Sequence, residues 1–215
     1  MFYSQFKQDK FLYENVFKDY KFGIFVDIGA HDGITINNTL YFEKEHKWNG
    51  YNIEPNKSVY EKLLINRPNS ININCAICDN DGESEFIHNE GYTEMISGLK
   101  SSYDERHLTR LEKELSQFGG TSSIVTVVTK KFSTLCKEYN IKYINYLSID
   151  VEGAEFNIIK SIDFNIVFID IIEFENNYSN ISDEIVKYLQ DRSYIVLTRG
   201  ADIIMIHMYS KFRSK

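Results

Sequence analysis

The sequence predicts a single α/β domain in which helices cover both faces of a mostly parallel sheet. Two observations lead to this prediction. Short apolar runs of strand length alternate with stretches whose apolar residues recur at helical spacing. Several of these runs end in Gly, Asp or Glu, as strands do where they meet a ligand crevice. A length of 215 residues fits one domain, and we find no internal repeat or linker, so the predicted domain spans residues 1–215.

Composition and charge exclude several classes of protein. The chain is 43% hydrophobic and 26% charged and has only 2 Pro and 11 Gly, which argues against long disordered stretches. A net charge of −7 leaves no basic field, so we expect no nucleic-acid partner. The apolar runs are too short to span a membrane, no signal peptide is visible, and the cysteines are few, so we expect a cytoplasmic protein. The oligomeric state is left open.

The first half of the chain alternates between helix and strand. Phe6, Phe11, Leu12 and Phe17 recur at helical spacing and predict an opening helix. The spacing then changes to that of a buried strand, and Pro55 ends the strand after it. The predicted elements are, in order, a helix over residues 5–17, a strand over 25–28, a helix over 35–47, a strand over 51–54, a helix over 56–66 and a strand over 71–77.

The second half resumes this alternation after one interruption. Residues 79–82 predict a turn, followed by an outlying strand over 83–88. Residues 90–120 contain a charged helical segment over 102–118 and paired glycines at its end, and we interpret them as an insertion or lid. The remaining predicted elements are strands over 124–128, 146–150 and 166–173, helices over 133–139, 154–162 and 182–190, and an antiparallel strand pair over 194–197 and 203–208.

Polar residues at strand ends carry the functional information, because ligands bind beyond the carboxyl ends of parallel strands. Four predicted strands end in this way. A glycine turn after the first strand also lets the backbone approach a ligand closely, since glycine has no Cβ. The strand-end residues are Asp27 with the loop of residues 29–33, then Glu54, then Asp150 with Glu152 and Glu155, and finally Glu173 with Glu175, Asn176 and Asn177.

The spacing of these residues narrows the ligand. The glycine loop lacks the G-x-G-x-x-G dinucleotide pattern, and Asp27 and Asp32 add negative charge where a pyrophosphate would sit. Such charge suits a ligand with an amine and a sulfonium, and Glu54 is placed to accept hydrogen bonds from ribose hydroxyls. S-adenosylmethionine fits this combination if Asp27 and Glu54 share one cleft. The alternative is that both carboxylates only cap helices.

At this point the chain resembles the FkbM-type S-adenosylmethionine-dependent methyltransferases. The resemblance lies in the motifs FVDIGAHDG (residues 25–33), IEP (53–55), CAICD (75–79) and LSIDVEGAE (147–155), and in the opening YSQ and QD (3–5 and 8–9). It implies a Rossmann-like class I methyltransferase fold, with a mostly parallel seven-stranded sheet whose last strand is antiparallel and with helices on both faces. It also implies O-methylation of a hydroxyl on a sugar of a glycan or on a related natural product.

The resemblance also implies roles for individual residues. The glycine loop would hold the methionine end of the cofactor, Glu54 the ribose, and Ala76 and Asp79 would lie near adenine. Asp79 alternatively serves only as a turn residue. The predicted cofactor-binding residues are Asp27, Gly29, Ala30, His31, Gly33, Glu54, Pro55, Ala76, Asp79 and Asp150.

Methyl transfer to an alcohol needs alignment and a group that removes the hydroxyl proton. Asp150 is the first candidate base, followed by Glu152, Glu155 and Glu173, with His31 as an outside candidate. Glu152 and Glu155 alternatively compensate a helix N-terminus. A second route is a Mg²⁺ ion held by Asp150, Glu173 and Asn176, which would acidify the hydroxyl.

The acceptor is the least determined part, and two other functions stay open. The expected partner is a saccharide or small molecule, for which Tyr41, Trp48, Tyr92 and Tyr103 are candidate rings, although most aromatic residues belong to cores. A non-catalytic nucleoside-binding module would keep the same pocket. An adenine N-methyltransferase is disfavoured, because the sequence DVEG at residues 150–153 stands where such enzymes carry D/N-P-P-Y/F.

Overall fold

The computed structural model describes residues 1–177 and 179–213. The strands and helices agree in order with the sequence prediction, apart from the differences given below. The strands are β1 (Ile24–Ile28), β2 (Asn49–Ile53), β3 (Ile71–Ile73), β4 (Ala76–Cys78), β5 (Gly82–Glu90), β6 (Gly98–Leu99), β7 (Thr121–Lys131), β8 (Tyr143–Ile149), β9 (Phe168–Glu175), β10 (Tyr194–Arg199) and β11 (Asp202–His207). The α-helices are α1 (Gln8–Leu12), α2 (Leu40–His46), α3 (Lys57–Asn66), α4 (Glu105–Phe118), α5 (Phe132–Glu138), α6 (Glu155–Lys160) and α7 (Ser179–Gln190).

The central sheet has seven strands in the order β10-β11-β9-β8-β1-β2-β3. β11, the last strand in the chain, runs antiparallel to both of its neighbours, and β1 pairs in parallel with β2 and β8. This arrangement confirms the predicted Rossmann-like class I methyltransferase fold. Ile28 pairs with both Ile53 and Ile149, so the residues that follow these three strands meet at one level of the sheet edge.

A second sheet of four strands, in the order β4-β7-β5-β6, stands beside the first. The predicted strand over residues 71–77 is split, since β3 belongs to the central sheet and β4 to the second one. The segment predicted as an insertion or lid, residues 90–120, carries the end of the long β5–β7 hairpin, a 3-10 helix over Gly91–Ile96, β6 and α4. This segment therefore belongs in part to the second sheet, which borders the edge of the central sheet where β1, β2 and β8 end.

Two predicted helices are shorter in the structure because side chains bind their first residues in loops. The predicted helix 5–17 is helical only from Gln8, and its second part, Tyr13–Phe17, forms a π-helical turn. Lys7, the residue before Gln8, has a φ of +66°, which lies outside the right-handed helical range. The predicted helix 35–47 begins only at Leu40, since the side chain of Asn37 accepts hydrogen bonds from the amides of Thr39 and Leu40.

Apolar side chains cover both faces of the central sheet. Val26 and Ile28 face one core, whereas Phe25 faces the other, as the period of two residues along a strand requires. Tyr41 and Trp48, two predicted sugar-binding rings, are buried in this second core, where aromatic packing uses them instead. Within the described parts of the chain, we find no helix that is both long and apolar enough to cross a membrane.

Candidate functional site

A cleft of about 460 Å³ opens at the carboxyl ends of β1, β2, β8 and β9. Its apolar wall comes partly from the second sheet, and its N-terminal rim comes from Gln5 and Phe6. Of the predicted site residues, the cleft is lined by Gly29, His31, Glu54, Pro55, Ala76, Asp150, Glu152 and Asn176, whereas Asp27, Ala30, Gly33, Asp79, Glu155 and Glu173 lie outside its lining.

The glycine loop after β1 is packed so closely that it excludes side chains. Gly29 has a φ of +87°, and a Cβ on it would lie 1.7 Å from the main-chain oxygen of Asp150. A Cβ on Gly33, with a φ of +77°, would meet the side chain of Arg67 at 2.5 Å. Asp32 folds back to accept a hydrogen bond from the Thr35 amide at 2.7 Å. At Gly29 the loop therefore presents bare backbone to the cleft.

Glu54 is the carboxylate of the cleft that faces the glycine loop. Its two oxygens accept hydrogen bonds from the amides of His31 at 3.1 Å and Asn56 at 2.7 Å. Burial raises the pKa of Glu54 to about 7, although these hydrogen bonds oppose the shift. A carboxylate held in this way keeps lone pairs free for a pair of ligand hydroxyls.

His31 links the glycine loop to the second sheet. Its φ is +50°, and its Nε2 lies 3.1 Å from a carboxylate oxygen of Glu94 in the 3-10 helix. Glu94 also accepts hydrogen bonds from Lys62 on α3 and lines the cleft. The position of the His31 ring is therefore fixed by an acidic partner.

Asp27 does not line the cleft, in contrast to the sequence prediction. Its carboxylate is 3% exposed and accepts hydrogen bonds from Asn37 Nδ2 at 2.9 Å and Thr39 Oγ1 at 2.8 Å. Burial raises its pKa, and the nearby charge of Arg67 opposes this shift. The reason is the alternation of β1, which turns Asp27 to the same face as Phe25 and away from the second sheet.

Arg67 is a residue that sequence reasoning missed. It is fully buried and pairs with Glu43, with 2.7 Å between Nε and Oε2. It also donates hydrogen bonds to the main-chain oxygen of Gly33 at 3.1 Å and to Asn37 at 3.0 Å. Arg67 thus supports the glycine loop from below. Arg67 directly follows the predicted helix 56–66, and nothing in the local sequence indicates that it is buried. Arg is rarely buried unless it is paired, and its partner Glu43 lies in a different helix.

The part of the cleft beside β4 is apolar. Ala76 lines it together with Cys75 and Ile77, and all three side chains are buried. Asp79 is exposed and lies outside the lining, which favours the alternative that it is a turn residue. The cysteines are free thiols, and burial raises the pKa of Cys75 to about 12. This surface can receive a planar apolar group such as a nucleobase.

The opposite end of the cleft is acidic. Four carboxylates line it: Asp150, Glu152, Glu175 and Asp202. Asp150 is exposed to solvent on its cleft side, but protein surrounds its carboxyl group on the other sides. This burial, together with the charge of Glu175, raises the pKa of Asp150 well above the ordinary value. Burial likewise raises the pKa of Glu152 to about 7 and that of Glu175 to about 8. Arg110 is the cation of the cleft lining, 3.4 Å from Glu152.

Glu175 was placed after a strand end by the sequence analysis but not among the candidate bases, and Asp202 was missed. Glu173 was chosen instead of Glu175 because the predicted strand ended there, two residues before β9 ends. Asp202 begins β11, which is antiparallel, so its amino end pairs with Glu175 at the carboxyl end of β9. The turn at residues 200–202 contained the only signal for this carboxylate, and that signal depends on the antiparallel pairing.

Three predicted candidates have structural partners. Glu155 accepts a hydrogen bond from the Gly153 amide at 3.0 Å, and Glu173 accepts one from the Tyr146 hydroxyl at 2.7 Å. Asn176 lines the cleft, but its amide donates to the Gly200 oxygen at 2.9 Å. The described residues hold no cluster of three or more His, Cys, Asp or Glu side chains arranged for a metal ion. Of the three predicted Mg²⁺ ligands, Asp150 and Asn176 line the cleft, whereas Glu173 lies outside its lining.

Comparison with known proteins bears on this cleft. Residues 27–196 match the family model described as Methyltransferase FkbM domain. The structure is similar to an FkbM methyltransferase from Methylobacillus flagellatus KT, at 11% identity and a TM-score of 0.52, over 86% of this chain and 43% of that one. It is also similar to Aeropyrum pernix fibrillarin, solved with natively bound S-adenosyl-L-methionine, at 11% identity and a TM-score of 0.50, over 94% and 73%. Comparison with curated proteins gives no match.

Proposed function

This chain belongs to the FkbM methyltransferase family, and we propose that it transfers a methyl group from S-adenosylmethionine to a hydroxyl of a sugar or a related small molecule. One observation carries the proposal. The strands β1, β2 and β8 end at the same level of the sheet, which places the Gly29 backbone, Glu54 and Asp150 around a single cleft. That cleft has the carboxylate of Glu54 at one end and the carboxylates of Asp150, Glu152, Glu175 and Asp202 at the other.

The residues around Gly29, Glu54 and Ala76, which we call the donor half of the cleft, fit S-adenosylmethionine. Glu54 would accept hydrogen bonds from the ribose hydroxyls, and the buried surface of Ala76 and Ile77 would contact the adenine ring. The backbone around Gly29, which admits no Cβ, would lie against the methionine part. When bound, this cofactor supplies a methyl group activated on a sulfonium. No direct contact of Asp27 is needed, because Asp27 acts through Asn37 and Thr39 behind the loop.

Asp150 is the proposed base. During transfer the sulfur–methyl bond breaks as the oxygen–methyl bond forms, and the hydroxyl proton passes to a carboxylate oxygen of Asp150. When ionised, a carboxylate of raised pKa takes up this proton more readily than an ordinary one. General bases typically contribute about 10² to 10⁴ in rate, whereas alignment of reactants reaches effective molarities of about 10⁵ to 10⁸ M. Alignment of donor and acceptor in the cleft therefore matters more than the base alone.

The acidic half of the cleft favours a neutral acceptor. Its four carboxylates face Arg110, whose guanidinium already pairs with Glu114 at 2.9 Å and with Glu152 at 3.4 Å. A phosphorylated or carboxylated acceptor would add negative charge beside carboxylates whose pKa values are already raised by burial and by one another's charge. Neutral sugars and other polyols avoid this repulsion, and their hydroxyls can donate to the carboxylates.

A transfer assay with cofactor labelled in the methyl group tests the proposal. We expect calorimetric binding of S-adenosylhomocysteine and label on neutral glycosides, with none on acidic sugars, adenosine or DNA. Activity is expected to persist in EDTA, and a loss that Mg²⁺ rescues would restore the metal route. Binding of the nucleoside product without transfer to any acceptor would instead favour a non-catalytic module. Label on adenine would indicate the N-methyltransferase alternative.

A further inference from the structure

The N-terminal segment reaches the cleft at a point that the methyl-transfer chemistry does not use. Gln5 and Phe6 belong to the lining, next to segments that end β9 and begin β11. Phe6 is 60% exposed although it lines the cleft. It is therefore available to a ligand that enters the acidic half of the cleft.

A buried carboxylate fixes the shape of this segment. Asp9 is fully buried and accepts hydrogen bonds from the Tyr3 amide at 2.6 Å, the Ser4 amide at 3.3 Å and the Ser4 hydroxyl at 2.6 Å. On the other side, the Phe2 ring lies 4.5 Å from the ring of Tyr41 in the aromatic core. Residues 5 and 6 thus form a short loop that is held at both ends.

Gln8 connects this loop directly to the cleft. Its side-chain oxygen accepts a hydrogen bond from the Phe6 amide at 2.9 Å. Its side-chain nitrogen donates to the carboxylate of Asp202, which lines the acidic half. One side chain therefore sets the position of Phe6 relative to Asp202 and its strand neighbour Glu175.

The width of the cleft separates this loop from the donor half. Between β2, which places Glu54, and β11, which places Asp202, lie four strand spacings of about 4.8 Å each, or about 19 Å in all. A cofactor whose ribose is at Glu54 and whose reactive end is near Gly29 leaves the β9 and β11 side to the acceptor. Gln5 and Phe6 border that side.

We infer that Gln5 and Phe6 form the acceptor-binding surface that selects a pyranose ring, an inference that rests on the proposed function. The ring of Phe6 packs against the apolar C–H face of the sugar, as aromatic side chains do with flat apolar surfaces. The amide of Gln5 and the carboxylates of Asp202 and Glu175 bind the hydroxyls around the sugar's edge. Phe6 and Gln5 are specificity-determining residues, and Gln8 is a positioning residue.

Saturation-transfer NMR in the presence of S-adenosylhomocysteine tests this surface. The probes are the methyl α-glycosides of glucose, mannose, galactose and rhamnose. We expect at least one to bind the wild type, with its Kd raised about three- to tenfold in Phe6→Ala and nearly unchanged in Phe6→Tyr. Because Phe6 is exposed, neither change should disturb folding. The Kd of S-adenosylhomocysteine, measured by calorimetry, is expected to stay the same in both variants.

Phe22→Ala is the matched control. Phe22 is 67% exposed and precedes the amino end of β1, at the edge of the sheet opposite the cleft, so its loss should leave both ligands unaffected. The inference is overturned if no glycoside binds the wild-type complex, or if Phe6→Ala binds the glycoside as well as the wild type does. Failure of S-adenosylhomocysteine to bind the wild type is a different result, which counts against the proposed function itself.

Discussion

The two halves of the cleft are built in different ways. The donor half comes from contiguous motifs, with Gly29, Glu54 and Ala76 following successive strands of the chain. The acidic half, which is the proposed acceptor half, is assembled from distant segments that supply Phe6 and Asp202 among others. The proposed cofactor site can thus be built from one stretch of alternating strands and helices, whereas the proposed acceptor site depends on how distant segments of the chain fold back.

The halves also differ in charge. In the donor half, Glu54 has amide donors on both oxygens, and the neighbouring Glu94 is paired with Lys62. In the acceptor half, the acidic end of the cleft, four carboxylates share the lining with Arg110, the one Lys or Arg among the described lining residues. Proton uptake should therefore be concentrated in the acceptor half, and substitutions there should change turnover rather than cofactor affinity.

The largest effect is expected from Asp150→Asn. Removing the proposed base should lower the single-turnover rate about 10²- to 10⁴-fold, with the Kd for S-adenosylmethionine changed by less than about threefold. Glu155→Gln is the control, because an amide oxygen can still accept the hydrogen bond from the Gly153 amide. Its rate should stay within about tenfold of the wild type. A similarly small loss in Asp150→Asn would transfer the base role to Glu175.

Arg67→Met tests the support of the donor half. It leaves Glu43 buried without its ion-pair partner and removes a hydrogen bond to the Gly33 oxygen. We expect a loss of about 3–5 kcal/mol in the free energy of unfolding, measured in urea. The control is Lys62→Met, which breaks an exposed ion pair with Glu94 and should cost less than about 1 kcal/mol. Equal losses in the two variants would contradict the role of Arg67.

The sequence predicted the central sheet well because its strands are short apolar runs with sharp ends. It also identified Glu54 and Asp150, since each follows such a run directly. The direction of the Asp27 side chain also follows from the sequence, because Asp27 alternates with Val26 and Ile28 and therefore faces away from their core. The second sheet, Arg67 and Phe6 depend on pairing between distant segments, which local patterns do not record.

Glu54→Ala should have the next largest effect, and it acts on the donor half alone. Loss of a charge-assisted hydrogen bond weakens binding by about 1.5–3 kcal/mol, so we expect a ten- to 150-fold higher Kd for S-adenosylmethionine by calorimetry. Asp27→Asn is the matched comparison, since its carboxylate binds Asn37 and Thr39 rather than the cleft. It should reduce stability while leaving that Kd within about threefold. An equal loss of affinity in both variants would return Asp27 to the binding site.

The smallest effect is the dependence of unfolding on pH without ligand. Burial raises the pKa of Glu54 and Glu152 to about 7 and of Glu175 to about 8, above their ordinary value of 4.5. Between pH 4.5 and these values the folded chain holds protons that the unfolded chain has released, so stability falls as pH rises.

We expect an unfolding midpoint about 2–4 °C lower at pH 8 than at pH 6, which corresponds to about 1 kcal/mol. His207 opposes this trend, because burial lowers its pKa and its contribution to stability grows as pH rises. The decisive measurement is therefore the difference between the wild type and the double variant Glu152→Gln with Glu175→Gln. If the acidic half causes the trend, the double variant loses most of it, whereas an unchanged slope would place the bound protons elsewhere in the protein.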